Sequence, residues 1–149
     1  MPRSGSFDYS IDAACDSATA VALLGDLRRQ GELHPLILDV QQLPTHAGAI
    51  ESFAITDRLR FGPFTFRIVY EADIVERTDS LISTIARQRP ATVVHNLTTV
   101  RETDAGVHVA VHVTMTAPSV LFRYAFSTAE AAHRELGTRI ATRLAELSV

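Results

Sequence analysis

The sequence places a carboxylate where strand patterning calls for an apolar side chain. Residues 57–70 read DRLRFGPFTFRIVY, and Asp57 falls on the same side of the alternation as Leu59 and Ile68. A buried acid is costly unless it is hydrogen-bonded, paired or left near water. Two interpretations follow. Asp57 faces a ligand cavity, where it orients a ligand together with Tyr70, or it lies at a rim or beside an arginine that neutralises it.

The turn at Gly62-Pro63 predicts which residues share a face of this hairpin. Glycine suits the positive φ of a two-residue type II′ turn, and proline tolerates the next position. The resulting register pairs Phe61 with Phe64, and a slip of one residue would bury the arginines of the other face. Asp57 and Glu51 are then the only charged side chains on the apolar face, and we expect Glu51 to be exposed. The predicted inner wall includes Phe53, Ile55, Asp57, Phe66, Ile68 and Tyr70.

Two later strands, 91–101 and 107–115, carry polar candidates whose facing depends on the turn between them. If Asp104-Ala105-Gly106 forms a type I turn plus bulge, residue 103 lies opposite 107. The cavity wall, to which Val111 and Val113 contribute with either turn, then gains His95, Leu97 and Arg101. Arg101 would be placed to pair with an inner carboxylate or with a ligand acid. With a two-residue turn at 104–105, His95, Leu97 and Arg101 face outward instead.

Metal and nucleophile patterns are weak in this sequence. His108 and His112 share one face of a strand, but four residues separate them by about 13 Å, too far for one zinc ion. We expect both on the outer face. Cys15 has no neighbouring His/Asp pattern of the kind that activates a nucleophile, and no glycine-rich phosphate loop occurs. The sequence therefore predicts no metal site, no cofactor and no nucleophilic triad.

Composition narrows the class of protein. The 149 residues fit a single domain, 1–149, and the net charge of −3 argues against a nucleic-acid binder that relies on a bulk basic field. No apolar run approaches the roughly 18–20 residues of a transmembrane segment. The first 16 residues contain three acids and no continuous apolar core, unlike a secretory signal. A single cysteine excludes an intramolecular disulfide, so a cytoplasmic location is expected.

Periodicity predicts the elements that position these residues. A strand over 7–14 is followed by two short helices, capped by Asp16 or Ser17 and by Asp26. Six strands joined by short turns follow between 36 and 115, which implies antiparallel neighbours. After Pro118 a three- and four-residue period predicts one helix over 120–147, which must cover the apolar face of the sheet. Tyr124 lies on its packing stripe and either packs or offers its hydroxyl to a cavity, while His133 is expected to face solvent.

This order, with four stretches of sequence, resembles the START and birch-pollen-allergen superfamily, also called SRPBCC, and in particular its polyketide-cyclase-like members. The stretches are FDYSIDAACDSATAVALLGDL, HPLI at 34–37, DRLRFGPFTFRIVYEA and APSVLFRYAFSTAEAAHREL. The resemblance implies an α+β helix-grip fold: a curved seven-stranded antiparallel sheet wrapped around a long C-terminal helix, with two short helices after the first strand. It also implies a cavity between sheet and helix, usually for an apolar small molecule. Many members have a tryptophan between the short helices, whereas this chain has no tryptophan and carries Leu33-His34 near that point.

Three functions are compatible with these features. The first is binding, as a carrier or by sequestration, of an apolar, polyketide-like or lipid-like small molecule. The alternative is an aromatase/cyclase-type enzyme, in which Asp57, Tyr70, His95 and Arg101 would act in enolisation and dehydration. A protein-interaction module is the third, and its charged hairpin face speaks against it. A homodimer is compatible with all three.

Overall fold

Seven strands and three helices make up residues 1–147, the part of the chain that the computed structural model describes. In chain order they are β1 (Pro2–Ala13), α1 (Ser17–Leu24), α2 (Leu27–Leu33), β2 (Ile37–Leu43), β3 (Glu51–Phe61), β4 (Phe64–Arg77), β5 (Leu81–Gln88), β6 (Thr92–Thr103), β7 (Gly106–Pro118) and α3 (Ser119–Leu147). The predicted order and the helix-grip fold class are confirmed. Several strands are longer than their alternation predicts, and β1 begins five residues earlier.

The strands form one antiparallel sheet in the order β1-β7-β6-β5-β4-β3-β2. Strands β2 to β7 follow each other as a meander, and β1 joins at the far edge by pairing with β7, with Pro2 opposite Pro118. The β3–β4 turn, the β5–β6 turn and the start of α3 consequently lie at the same end of the sheet. We call this the tip end.

The register of the β3–β4 hairpin is the predicted one. Phe61 lies opposite Phe64, Asp57 opposite Ile68, and the pairing continues to Glu51. Gly62 has φ +60°, as the first position of the predicted turn requires.

Side-chain caps set the two short helices. The Asp16 carboxylate accepts a hydrogen bond from the Thr19 N–H at 2.7 Å, and Gly25 ends α1. The Asp26 carboxylate accepts from the backbone N–H groups of Arg28 and Arg29 and so begins α2. Both caps satisfy backbone donors that a helix start leaves unpaired.

The long helix α3 lies against only one side of the sheet. Its backbone approaches β1 and β7 closely, and within residues 1–147 it makes no comparable approach to strands β2 to β6. Gly137 allows this contact, because a Cβ there would lie 2.9 Å from Cε2 of Tyr9. The buried residues of the helix are Phe122, Ala132, Leu136, Gly137, Ile140 and Leu144. Space therefore remains between α3 and the central strands.

The packed core lies under β1, β7 and α1. Val107, Val109 and Val113 of β7 are almost fully buried, as are Leu23 of α1 and Leu144 of α3. Among the helices of residues 1–147, none has the length and apolar character needed to cross a membrane.

Candidate ligand cavity

A cavity of about 390 Å³ fills the space between α3 and the central strands. Its walls come from strands β3 to β7, from α2 with the segment after it, and from α3. Most of the lining is apolar and includes Ile55, Leu59, Phe66, Ile68, Ala72, Ile82, Ala86, Val94, Met115, Leu121, Ala125 and Leu136. This volume lies near the lower end of the roughly 300–1,000 Å³ typical of small-molecule sites.

Half of the residues predicted for the ligand site line this cavity. They are Ile55, Asp57, Phe66, Ile68, Tyr70 and Tyr124. Three others, Phe53, Val111 and Val113, face inward as predicted but are packed in the core and do not line it. Phe53 instead borders a second, surface groove between α1 and β3, where Glu51 forms an ion pair with Arg77. This pairing leaves Glu51 partly buried, not exposed as expected.

The inward placement of His95, Leu97 and Arg101 is wrong. Thr103 lies opposite Gly106, so the β6–β7 connection is the two-residue turn at 104–105. Gly106 has φ +144°, and its Cα lies so close to β1 that a Cβ would overlap the Ala13 carbonyl oxygen. The register therefore places the three residues on the outer face. There the His95 Nε2 lies 2.8 Å from the Ser83 hydroxyl, and Arg101 is exposed.

The same turn brings other polar residues inward in their place. Asn96 and Thr98 line the cavity, and the Thr98 hydroxyl donates to the Asn96 side-chain oxygen at 2.9 Å. Asn96 directly follows His95, and Thr98 directly follows Leu97; the alternative register would have placed His95 and Leu97 inside. The turn sequence is compatible with both registers, and the pairing of Thr103 with Gly106 shows which one forms.

Asp57 and Tyr70 form the polar centre of the sheet wall. Asp57 is buried, and the Tyr70 hydroxyl donates to its Oδ1 at 3.3 Å. Burial raises the pKa of Asp57 to about 6, although the hydrogen bond from Tyr70 acts in the opposite direction. Burial and the adjacent carboxylate raise the pKa of Tyr70 well above its usual value, so Tyr70 stays a donor. None of the ion pairs among residues 1–147 involves Asp57.

A second polar point lies opposite the sheet, where α2 ends against α3. The rings of His34 and His133 meet edge to face with centroids 5.9 Å apart, and both line the cavity. The Leu36 N–H donates to His34 Nδ1 at 3.1 Å, so the neutral ring carries its proton on Nε2. His133 Nδ1 lies 3.4 Å from the Tyr9 hydroxyl. The expected solvent position of His133 is therefore wrong.

Both rings are neutral at neutral pH. Burial, and then the neighbouring His133 and Arg139, lower the pKa of His34 to about 3, while burial lowers that of His133 to about 4. They offer hydrogen bonds without charge. One signal could have located His133: it lies three residues before Leu136, at the helical spacing of a shared face.

Tyr124 contributes its ring to the cavity and its hydroxyl to the wall. The hydroxyl donates to the backbone oxygen of Arg60 at 2.8 Å. The ring meets Phe61 edge to face at 5.0 Å. Tyr124 therefore ties the β3–β4 hairpin to the start of α3.

The outer histidines lie where the alternation predicts. His108 and His112 lie on the outer face of β7, with Nδ1 within 2.7 Å of Asp12 and 2.6 Å of Asp8 respectively. Across the described part of the chain, no three histidine, cysteine or acidic side chains come together in a way that could hold a metal ion.

Solved structures share this architecture across nearly the whole chain. The di-domain ARO/CYC StfQ from the steffimycin biosynthetic pathway matches at 15% identity with TM-score 0.72, over 96% of this chain and 51% of StfQ. Ara h 8.0201 matches at 11% identity with TM-score 0.63, over 94% of this chain and 99% of that one. The chain shares the helix-grip fold of these structures.

A further solved structure shares the fold, whereas comparisons of the sequence find no match. The Zhui aromatase/cyclase from Streptomcyes sp. R1128 matches this chain at 11% identity with TM-score 0.57, over 99% of the chain and 94% of Zhui. The chain spans about half the length of the di-domain protein StfQ. No protein-family model matches the sequence, and neither does any curated protein. At these identities the likeness establishes the fold alone.

Proposed function

We propose that this START-like chain binds an apolar, polyketide-like or lipid-like small molecule between the sheet and α3, as a carrier or by sequestration. The observation that carries the proposal is the largely apolar cavity of about 390 Å³ with separate polar points at Asp57–Tyr70 and His34–His133. Apolar burial supplies affinity in such a site, and sparse polar groups orient the ligand. A cytoplasmic location, a single domain and a homodimer stay predictions.

A substitution that fills the cavity with a larger side chain tests this proposal. Ala86 lines the cavity, whereas Ala110 is exposed on the outer face of β7. Ala86→Phe places a ring in the ligand space, so we expect it to weaken binding of the apolar fluorophore N-phenyl-1-naphthylamine at least tenfold. Ala110→Phe adds the same ring outside and serves as the matched control. Fluorescence titration measures both, and equal binding by wild type and Ala86→Phe would contradict the proposal.

Native mass spectrometry of protein purified from its own host provides the second arm. We expect an apolar molecule to co-purify with the wild type and to be missing from Ala86→Phe. The Ala110→Phe protein should retain it. A molecule that remains equally bound to Ala86→Phe does not occupy this cavity.

A second function is supported by the chemistry of Asp57. A carboxyl group with a pKa of about 6 suits general acid–base catalysis near neutral pH. In an aromatase/cyclase-type reaction on a poly-β-ketone, the Asp57 carboxylate would accept a proton from a carbon between two carbonyls, while the Tyr70 hydroxyl donates to the enolate oxygen. Two of the similar structures are named ARO/CYC or aromatase/cyclase, which is why this reaction is considered.

Turnover of a synthetic poly-β-ketone by Asp57 variants tests the enzyme hypothesis. We expect Asp57→Asn to lower turnover by about a hundredfold or more, because the amide cannot accept the proton. His95→Ala is the control, since His95 lies on the outer face and away from the cavity. Unchanged turnover in Asp57→Asn removes this residue from any such mechanism.

A further inference from the structure

Exposed apolar side chains project from the tip end on two separate elements. Phe61 and Phe64 lie at the β3–β4 turn, and Val120 and Leu121 lie in the first turn of α3. Phe64 is 69% exposed and Val120 is 89% exposed, which is unusual for large apolar side chains. The Phe61–Tyr124 ring contact holds the two projections together.

The charge at this end is opposite in sign to that of the whole molecule. Segments 58–70, 86–98 and 114–129, which belong to the tip end, contain no aspartate or glutamate, although the chain as a whole has a net charge of −3. The Asp57 carboxylate lies opposite Ile68, but it is buried in the cavity wall. Besides Arg87, which forms an ion pair with Asp73, five exposed arginines project from them: Arg58, Arg60, Arg67, Arg89 and Arg123. None of these five forms an ion pair with any residue that the structure describes.

The cavity opens at the same end. Among its lining residues, Phe66, Arg89, Pro90 and Leu121 are exposed, and all four belong to the tip end. The apolar projections and the unpaired arginines thus lie at the same end of the molecule as the entrance, and Arg89 lines the cavity itself.

We propose that the tip end docks on an anionic lipid surface, with the apolar projections among the lipids and the arginines on phosphate groups. Guanidinium groups bind phosphate oxygens in a bidentate manner, and apolar side chains next to basic ones partition into the membrane interface. Lipids accommodate projecting side chains without a complementary shape, whereas a folded acidic partner must provide a pocket for each projection. Charge and convex shape together favour the membrane.

Docking by the tip end would place the cavity entrance against the lipid surface. An apolar molecule could move between the bilayer and the cavity without crossing water. The docking itself requires no ligand, so it goes beyond the proposed binding function and is tested separately from it.

Vesicle flotation tests the proposal. We expect the wild type to bind vesicles of phosphatidylcholine mixed with phosphatidylserine, to bind pure phosphatidylcholine weakly, and to lose binding as salt rises. Removing the charges with Arg58→Gln, Arg60→Gln and Arg67→Gln should weaken binding about fivefold per arginine, or about a hundredfold together. The double variant Phe64→Ser, Val120→Ser should weaken it at least tenfold.

Exposed residues at the opposite end supply the controls. Ile50→Ser removes an exposed apolar side chain, and Arg101→Gln removes an exposed arginine, both remote from the tip end. Neither should change vesicle binding. Because all these positions are exposed, we expect the variants to fold, and circular dichroism checks this.

Three outcomes overturn the proposal: no binding to the mixed vesicles, equal losses in tip and control variants, or binding that is insensitive to both sets of tip substitutions. Polyglutamate serves as a soluble acidic probe in parallel. If the arginine variants change only polyglutamate binding and vesicles stay unbound, the occupant is an acidic protein surface and the membrane proposal is wrong.

Discussion

At the scale of single residues, the character of Asp57 depends on what surrounds it. The carboxylate lies on an apolar strand face and has one hydrogen-bond donor, the Tyr70 hydroxyl, with no cation paired to it among the described residues. Loss of hydration outweighs this single hydrogen bond and raises its pKa to about 6. The residue is thus maintained at a cost in stability, which is typical of residues retained for binding or catalysis.

The Asp57→Asn variant measures this cost. A folded-state pKa of about 6, against 3.8 for the free side chain, means that the folded protein binds more protons between pH 4 and pH 6. The contribution of the Asp57 carboxyl group to the free energy of unfolding is therefore fully present below pH 4 and is lost as the pH rises through about 6. We expect Asp57→Asn to be more stable than wild type at pH 8 by up to about 3 kcal/mol, and nearly equal to it at pH 4.

Urea unfolding at both pH values checks this difference. Asp39→Asn, which removes an exposed carboxylate of β2, controls for the loss of one negative charge. A stability difference between Asp57→Asn and wild type that is the same at pH 4 and pH 8 would show that Asp57 does not titrate differently on folding.

At the scale of elements, the placement of α3 creates the cavity. The helix lies close to β1 and β7 because Gly137 presents no side chain to the Tyr9 ring. Its more distant side faces β3 to β6, where the lining side chains leave space unfilled. A helix packed centrally over the sheet would fill this space with Leu136 and its neighbours.

Gly137→Val tests this contact. A Cβ at this position would lie 2.9 Å from Tyr9 Cε2, so the helix or the ring must move. We expect a loss of roughly 1–3 kcal/mol, the usual cost of overpacking, in spite of the better helix propensity of valine. Thermal unfolding measures it, with Thr138→Val on the exposed side of the same turn as the control. If both variants lose equally little, Gly137 does not determine the approach of α3.

At the scale of the whole molecule, the protein's own side chains fill only part of the interior. Strands and α1 form a packed core under β1 and β7, while the half under β3 to β6 has a cavity of about 390 Å³. Dispersion contacts are missing wherever a wall has no partner atoms. A molecule that enters the cavity supplies them, so occupancy and stability should be linked.

Thermal unfolding with N-phenyl-1-naphthylamine checks this linkage. At a concentration a hundred times its dissociation constant, the ligand should stabilise the folded state by about 2.7 kcal/mol. For a chain of this size that corresponds to a rise of Tm of roughly 5–10 °C. With binding at least tenfold weaker, Ala86→Phe should gain about 1.4 kcal/mol or less at the same concentration, so its Tm should rise by at most about half as much. An equal rise in both proteins would mean that the probe binds outside the cavity.

Local patterns in the sequence determined the elements and one wall of the site. Gly62-Pro63 fixes the hairpin register because glycine adopts the positive φ of the turn, and alternation then places Ile55, Asp57 and Tyr70 inside. The three- and four-residue period of 120–147 similarly predicts α3. Both signals act between neighbours in the chain, so the sequence contains them completely.

Only the tertiary structure decided the remainder of the site. Whether His95 or Asn96 faces the cavity depends on the β6–β7 register, and the turn sequence between the two strands is compatible with both registers. His133 lies in the cavity because Tyr9 and His34 meet that side of α3. The helical spacing from Leu136 can place His133 on the inner face, but the contacts with Tyr9 and His34 join residues from distant segments and are not encoded in that spacing. The sequence therefore specified the wall around Asp57, and packing between β1, β7 and α3 specified the cavity.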